Sequence, residues 1–420
     1  MPSTHLLNFD GVSRPVALHD SPKLFDCLPH VFKSWPYDLL DADGDHGEPI
    51  ISVRRDTEGY HLSSPWLIGN PLTQHEIDAA CAIVVDLVAA HLDDCPMQLC
   101  IHAGAVEFHG HLIVFPNKYR AGKSLLCSAL ASRGFRIFSD DLLKVDTGVS
   151  DRQLKGLATG VAPRLRLPLP KGMGALTDDF VASRWGAASE RYLYLDLTDA
   201  ELAPYNTPLP MAGFVLLDRE PGAAASLEPV SANEMLSRVI WQNFARGQNA
   251  EDILAQLHEL VETSHRFRIR YDDLDDAVEL LAREFSPDRV KSPFLRNKNV
   301  FRGVECTPII TYAAEPSSNY FQKSPGLRER EVNGDCFLAD ANGQAIHQLN
   351  ATGAMIWRLY TEPMQHAEAV GIMRMAFPDE PTDALERDTD TVVKALVKKG
   401  LLRAVDPDKP AKISSDDDPA

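Results

Sequence analysis

Two short runs hold the residues best able to do chemistry. Gly122-Lys123-Ser124 lies within IVFPNKYRAGKSLL (113–126), and Asp140-Asp141 follows seventeen residues after Lys123. A lysine and a hydroxyl directly after a glycine suit a loop that wraps phosphate. Backbone N–H groups at a helix start face the anion, and the helix dipole adds to their pull. Lys123 would reach the outer phosphates and Ser124 would hold Mg²⁺. Adjacent carboxylates offer what phosphoryl transfer needs besides, a metal ligand and a proton acceptor for the attacking hydroxyl. The loop would run from Asn117 through Lys118, Tyr119, Arg120 and Ala121 to Gly122, Lys123 and Ser124. Its motif, G-x-x-x-x-G-K-[ST], wants glycine at position 117. Asparagine visits the left-handed backbone region more readily than most residues, so Asn117 is expected to substitute there. The plainer readings are a structural turn for the loop and a helix cap or solvated turn for the aspartate pair.

The elements around these residues read as an α/β arrangement. IVF precedes the loop as a strand, and SLLCSALASRG follows as a helix with Gly134 at its end. FRIFSDD is a short strand ending in the aspartates. Upstream, LCIHAGAVEFHGHLIVF forms two β-rich halves meeting at His109-Gly110-His111, a hairpin turn. A helix over 75–92 is expected, with a capping box at Thr73 and Glu76. Strands are expected in 211–220 and at the start of 265–284, and helices in 231–244 and in the rest of 265–284. Residues 286–325 lose periodicity and gather Pro, Ser and Asn, which reads as linker.

Composition narrows the function classes. The chain has 420 residues, 44% apolar and 24% charged, with a net charge of −18. That charge disfavours broad attraction to nucleic acid or to an anionic membrane. The seven cysteines show no paired spacing, which suits a reducing cytoplasm. Cys95, Cys100 and His102 fit no trusted metal spacing and read as structural.

The block 101–146, from IHAGAVEF to LLKVD, resembles the core of the HPr kinase/phosphorylase family and its relatives. The stretches TPLPMAGFVLLDRE and HRFRIRYDDLDDAVELL resemble that family's closing part. The resemblance implies a phosphoenolpyruvate-carboxykinase-like P-loop kinase core using ATP and Mg²⁺. It implies that Lys123 contacts phosphate, that Ser124 and Asp141 bind the metal, and that Asp140 is the general base. It also places His102 near the active site. The family's bifunctional members carry a glycine-rich signature with an acidic residue where this chain reads GLATGVAPRLRLPLPKG (156–172). The resemblance therefore carries over neither phosphorylase activity nor HPr as substrate. Arg164, Arg166 and Lys171 in that stretch could clamp phosphate or an acidic substrate, or form a solvated basic turn.

FLADANGQAIHQLNATGAMIWRLY (337–360) and VVKALVKKGLL (392–402) resemble PqqD-family domains, small and winged-helix-like, which bind leader peptides by strand addition. Asn350 would cap the first helix, Trp357 anchor the core and Gly400 end the last helix. The expected organisation is an N-terminal α+β region (1–95), a kinase-like domain (96–285), a linker (286–325), a PqqD-like domain (326–405) and a disordered acidic tail (406–420). The implied function is an ATP-dependent Ser/Thr kinase acting on a precursor peptide or small protein, with homo-oligomerisation possible. The alternative is a non-catalytic nucleotide-binding adaptor that presents a leader peptide to partner enzymes. A DNA-binding winged helix is disfavoured, because 326–405 holds nine Lys or Arg against twelve Asp or Glu.

Overall fold

The structure is a computed structural model. It describes residues 3–41, 44–67, 71–96, 98–117, 121–146, 154–244, 248–291 and 312–410. The chain divides into two compact units, Met1–Gln248 with Gln256–Leu295, and Asn249–Ala255 with Arg296–Ala420.

The first unit opens with a six-stranded sheet in the order Tyr37–Leu40, Thr4–Phe9, Val16–His19, Ile51–Arg55, Tyr60–Ser63, Leu72–Thr73. The helices Pro22–Val31 and Glu76–Asp94 supply Leu24, Leu28, Ile83 and Leu87 to its core. Cys100, Ala162 and Tyr194 belong to the same core, so residues 1–95 pack as part of this unit. The capping box falls elsewhere than expected. Thr73 ends a strand, and His75 caps the helix instead, its Nδ1 accepting from the Ile77 N–H at 3.2 Å. Cross-strand pairing with Tyr60 holds Thr73 in extended backbone, leaving the cap to the residue at the helix start.

A nine-stranded mixed sheet follows. Its main path runs Arg136–Ser139, Gly104–Phe108, His111–Phe115, Pro208–Arg219, Lys155–Leu157, Leu143–Asp146, Leu99–Ile101. His265–Tyr271 pairs in parallel with the far part of Pro208–Arg219. His109 and Gly110 both have positive φ, +51° and +79°, the backbone that lets a two-residue turn match the twist of its flanking strands. The helix Lys123–Ala131 buries Leu126, Cys127, Ala129 and Leu130 with Val106, Ile113, Phe115 and Ile137 of the sheet. It stops where expected, with Gly134 at φ +87° and its N–H bonded to the Ala131 carbonyl. A three-stranded sheet, Arg164–Arg166, Tyr192–Leu195, Trp185–Ala188, completes the surroundings of that helix's start.

The second unit holds the helices Ala351–Leu359, His366–Ala376 and Thr382–Lys398 and two small sheets. Asn350 caps the first helix through a 2.9 Å bond from the Gly353 N–H, and Trp357 is 1% exposed. Gly400, at φ +70°, follows the last helix.

Two expected boundaries move. Tyr312–Ala314 and Tyr320–Lys323, read as linker, are strands paired with Leu402–Pro410, which runs into the expected tail. Pro287–Lys291 is helical, with Val290 buried in the first unit's core. Runs of three or four residues show too little periodicity to register as strands, and only pairing across some ninety residues forms them. Residues 292–311 and 411–420 lie outside the described residues.

Candidate functional site

Phe115 ends its strand because Pro116 lacks the N–H that would continue the ladder. Asn117 is 4% exposed, and its amide donates to the Leu217 carbonyl at 2.9 Å. It is not left-handed, contrary to expectation. The left-handed residue of the described loop is Gly122, at φ +89°. The first position therefore does not call for glycine here, and the asparagine's amide ties the loop to a neighbouring strand. Lys118, Tyr119 and Arg120 lie outside the described residues. Ala121 and Gly122 lead directly into the helix, whose first turn has no side-chain cap. Its leading N–H groups thus face the space an anion would take. Lys123 is 7% exposed and donates from Nζ to the Asn117 carbonyl at 3.2 Å. Burial lowers its pKa, while Asp141 and Asp140 draw it back up.

The paired aspartates stand in different surroundings. Asp140 is 7% exposed, and its Oδ2 accepts from the Arg164 N–H at 2.9 Å. Burial, then repulsion from Asp141, pushes it up to about 6, against opposing pulls from the Arg164 N–H and the Ser124 hydroxyl. Asp141 is half-exposed. His102 Nε2 lies 2.5 Å from its Oδ1, and Arg164 Nη2 lies 3.2 Å from its Oδ2. Burial raises Asp141, but His102, Arg164 and Lys123 outweigh it and bring it down to about 2. Adjacent residues of one chain are thus a carboxylate that burial pushes up toward neutrality and one that its cationic neighbours hold firmly ionised.

His102, Lys123, Ser124, Asp141, Arg164 and Arg166 line one cleft of about 270 Å³, together with Ala121, Gly122, Leu169 and Pro170. Asp140 lies behind this wall, beside a cavity of about 30 Å³ that it shares with Asp141, Arg164, Cys81 and Tyr194. Lys171 is exposed and does not line the cleft. Hard divalent cations take oxygen ligands from one or two carboxylates, completed by phosphate and water. Ser124 with Asp140 and Asp141 fits that donor set, and Asp140 Oδ1 is buried without a hydrogen-bond partner. Among the described residues no cluster of three His, Cys, Asp or Glu could hold a metal by itself, so Cys95, Cys100 and His102 form none.

Several residues at the site gave no sequence signal. Arg164 reaches the sulfur of Cys81, 83 positions away, and its guanidinium lies 4.7 Å from the Tyr192 ring centroid. Burial raises the Cys81 thiol's pKa, so it meets the guanidinium as a neutral group. The Leu217 carbonyl that holds Asn117 is a hundred residues from it. The alternation in Arg164-Leu165-Arg166 and Tyr192-Leu193-Tyr194 was the one available hint of a shared face.

Residues 335–402 match the family described as coenzyme PQQ synthesis protein D (PqqD), so the chain carries a PqqD domain at its C-terminal end. No curated protein matches the chain. Among solved structures, TbiB1 in complex with the TbiA(beta) leader peptide is 23% identical, covers 19% of this chain and 93% of its own, and has a TM-score of 0.18. The Hpr(Ser) kinase/phosphatase from Coxiella burnetii is 14% identical, covers 44% of this chain and 94% of its own, and has a TM-score of 0.22. Likenesses of that size are weak and carry no further argument.

Proposed function

We propose that the chain is a phosphotransferase that moves a phosphoryl group from Mg²⁺-ATP to a hydroxyl of a peptide held by the PqqD domain. Its core would be the phosphoenolpyruvate-carboxykinase-like type that the sequence resembles. One observation carries the reading: Lys123, Ser124, Asp141, His102 and two arginines converge on a single cleft at an uncapped helix start. A purely structural turn has no use for that convergence.

In this reading Lys123 and the N–H groups after Gly122 bind the phosphates, and Arg164, which lines the same cleft, lends its charge. Ser124 and Asp140 would hold Mg²⁺, which would supply charge neutralisation at the phosphates. The His102–Asp141 pair, on the cleft wall, receives the acceptor's proton. This exchanges the roles that the resemblance implies for the two aspartates, because Asp140 stands behind the wall beside Ser124 while Asp141 faces the cleft. Tethering through the PqqD domain would raise the local concentration of a weakly held acceptor.

Calorimetry with Mg²⁺-ATP on wild type and Lys123→Ala tests the first half. Binding in wild type that the variant loses supports it, and absence of nucleotide binding by wild type removes the kinase reading. Transfer of labelled γ-phosphate to peptide tests the second half. Nucleotide binding without transfer would favour the adaptor alternative.

A further inference from the structure

The strand that leads into His102, Leu99–Ile101, lies at one end of the nine-stranded sheet. Residues 242–244 run along its outer side. The His102 N–H donates to the Gln242 carbonyl at 2.7 Å, and the Phe244 N–H donates to the Cys100 carbonyl at 2.8 Å. Between them Ile101 and Asn243 form an antiparallel bridge. The segment is therefore pinned to the strand that delivers His102 to the cleft.

It follows the helix Ala232–Trp241, which turns Met235, Leu236 and Val239 into the core. Trp241 comes two residues after Val239, about 200° further round the helix, so it points away from that core. It is 81% exposed. Phe244 is 41% exposed, and its ring lies 5.8 Å from the His102 ring. Exposed apolar residues scattered singly are ordinary on a protein surface. Two large aromatic side chains within four residues, on backbone bonded to a cleft-lining histidine, are not scattered. Such rings give a partner a large contact area at little cost in side-chain entropy.

The chemistry of the occupant follows from the sequence and the spacing. From Val239 to Phe244 there is no ionisable residue, so this edge offers apolar contact rather than charge. A hydroxyl that gives its proton to the His102–Asp141 pair must sit beside that pair. In an extended peptide, residues two apart share a face and stand about 7 Å from each other. That span is close to the distance between the His102 and Phe244 rings.

We infer that Trp241 and Phe244 form the acceptor-docking edge of the cleft and select peptides with an apolar side chain two positions from the hydroxyl that is phosphorylated. The inference rests on the kinase reading above and adds the class of acceptor.

The test uses the full chain, Mg²⁺-ATP and synthetic peptides with a central Ser or Thr and Phe, Leu, Ala, Asp or Lys two positions to either side. Wild type should favour Phe or Leu over Ala by about tenfold in kcat/KM, within what burial of one apolar side chain supplies. Trp241→Ala and Phe244→Ala should each remove most of that ratio. Trp241→Arg should move the preference toward Asp. Melting curves should be unchanged in both Trp241 variants, because the side chain buries little. No apolar preference in wild type, or one that survives both Trp241 variants, overturns the inference. So does a loss of ATP affinity in Trp241→Ala, which would make the rings a platform for the nucleotide base. A dimer in sedimentation that Trp241→Ala dissolves would make the edge an interface between copies, and overturns it too. If wild type phosphorylates no peptide, anisotropy of the same peptides carrying a fluorophore decides. Tighter binding of the Phe peptide that Trp241→Ala abolishes upholds the docking edge while the kinase reading fails alone. Equal binding of the Phe and Ala peptides, or tighter binding that Trp241→Ala leaves intact, overturns the inference.

Discussion

The cleft around Lys123 and the small core around Trp357 both bury charged groups, but they settle them differently. In the second unit the Trp357 indole donates to Glu329 at 2.8 Å, and Lys323 lies 3.3 Å from the same oxygen and 4.6 Å from the indole centroid. Glu329 is held below its ordinary range: burial raises it, but Trp357 and Lys323 prevail. Both of these partners lower the cost of burying Glu329. Behind the cleft wall, Asp140 is forced up by burial and by its own neighbour, and one of its oxygens has no partner. In the second unit the buried carboxylate is settled by its own neighbours in the fold. The other region keeps a carboxylate in an unfavourable state beside a lysine that burial has also weakened. Such unrelieved cost marks where a ligand is expected, because a bound cation or anion would relieve it.

Substitutions can break that contrast. The largest effect is expected from Asp141→Asn, which should lower phosphotransfer by about 10²–10⁴ while the protein stays folded, the usual range for losing a positioned acid–base group. Transfer rates and melting curves check it; a folding defect as large as that of Trp357→Ala would end the distinction. Trp357→Ala should destabilise the second unit by about 3–5 kcal/mol, through the cavity it leaves and the hydrogen bond that Glu329 loses, read by denaturant unfolding.

Asp140→Asn should work in the opposite direction. Its folded-state pKa is raised from 3.8 to about 6, so the native state holds the proton more tightly than the unfolded chain. The stability linked to that proton is fully present below about pH 4 and is lost as pH rises through about 6. The asparagine variant should therefore be more stable than wild type by up to about 3 kcal/mol at pH 7–8, and no more stable below pH 4. Melting temperatures across that range sharpen the point, and a gain independent of pH would refute the linkage. The smallest effect is expected from Asn350→Ala, about 1 kcal/mol for a lost helix cap, measured by the same unfolding curves.

Much of this was legible locally. The helix after Ser124, the turn at His109-Gly110, the cap at Asn350 and the stop at Gly400 each depend on a few neighbouring residues, and each stands where the spacing places it. Thr73 was misread for the same reason. Its local signal favours a cap, while a strand partner elsewhere claims its backbone. The strands within 312–323 and 402–410 were hidden because only long-range pairing makes them.

The sequence by itself determined that a lysine and a hydroxyl would open a helix, that two acids would end a strand nearby, and that a PqqD domain would close the described chain. Periodicity, caps and turns act over a few residues, and these features need nothing more. Tertiary structure alone decided that Asn117 holds the loop through its amide, that Asp140 turns inward and Asp141 faces the cleft, and that Arg164 reaches Cys81 and Tyr192. Those outcomes depend on burial and on partners dozens of residues away, which exist only once the sheets have assembled.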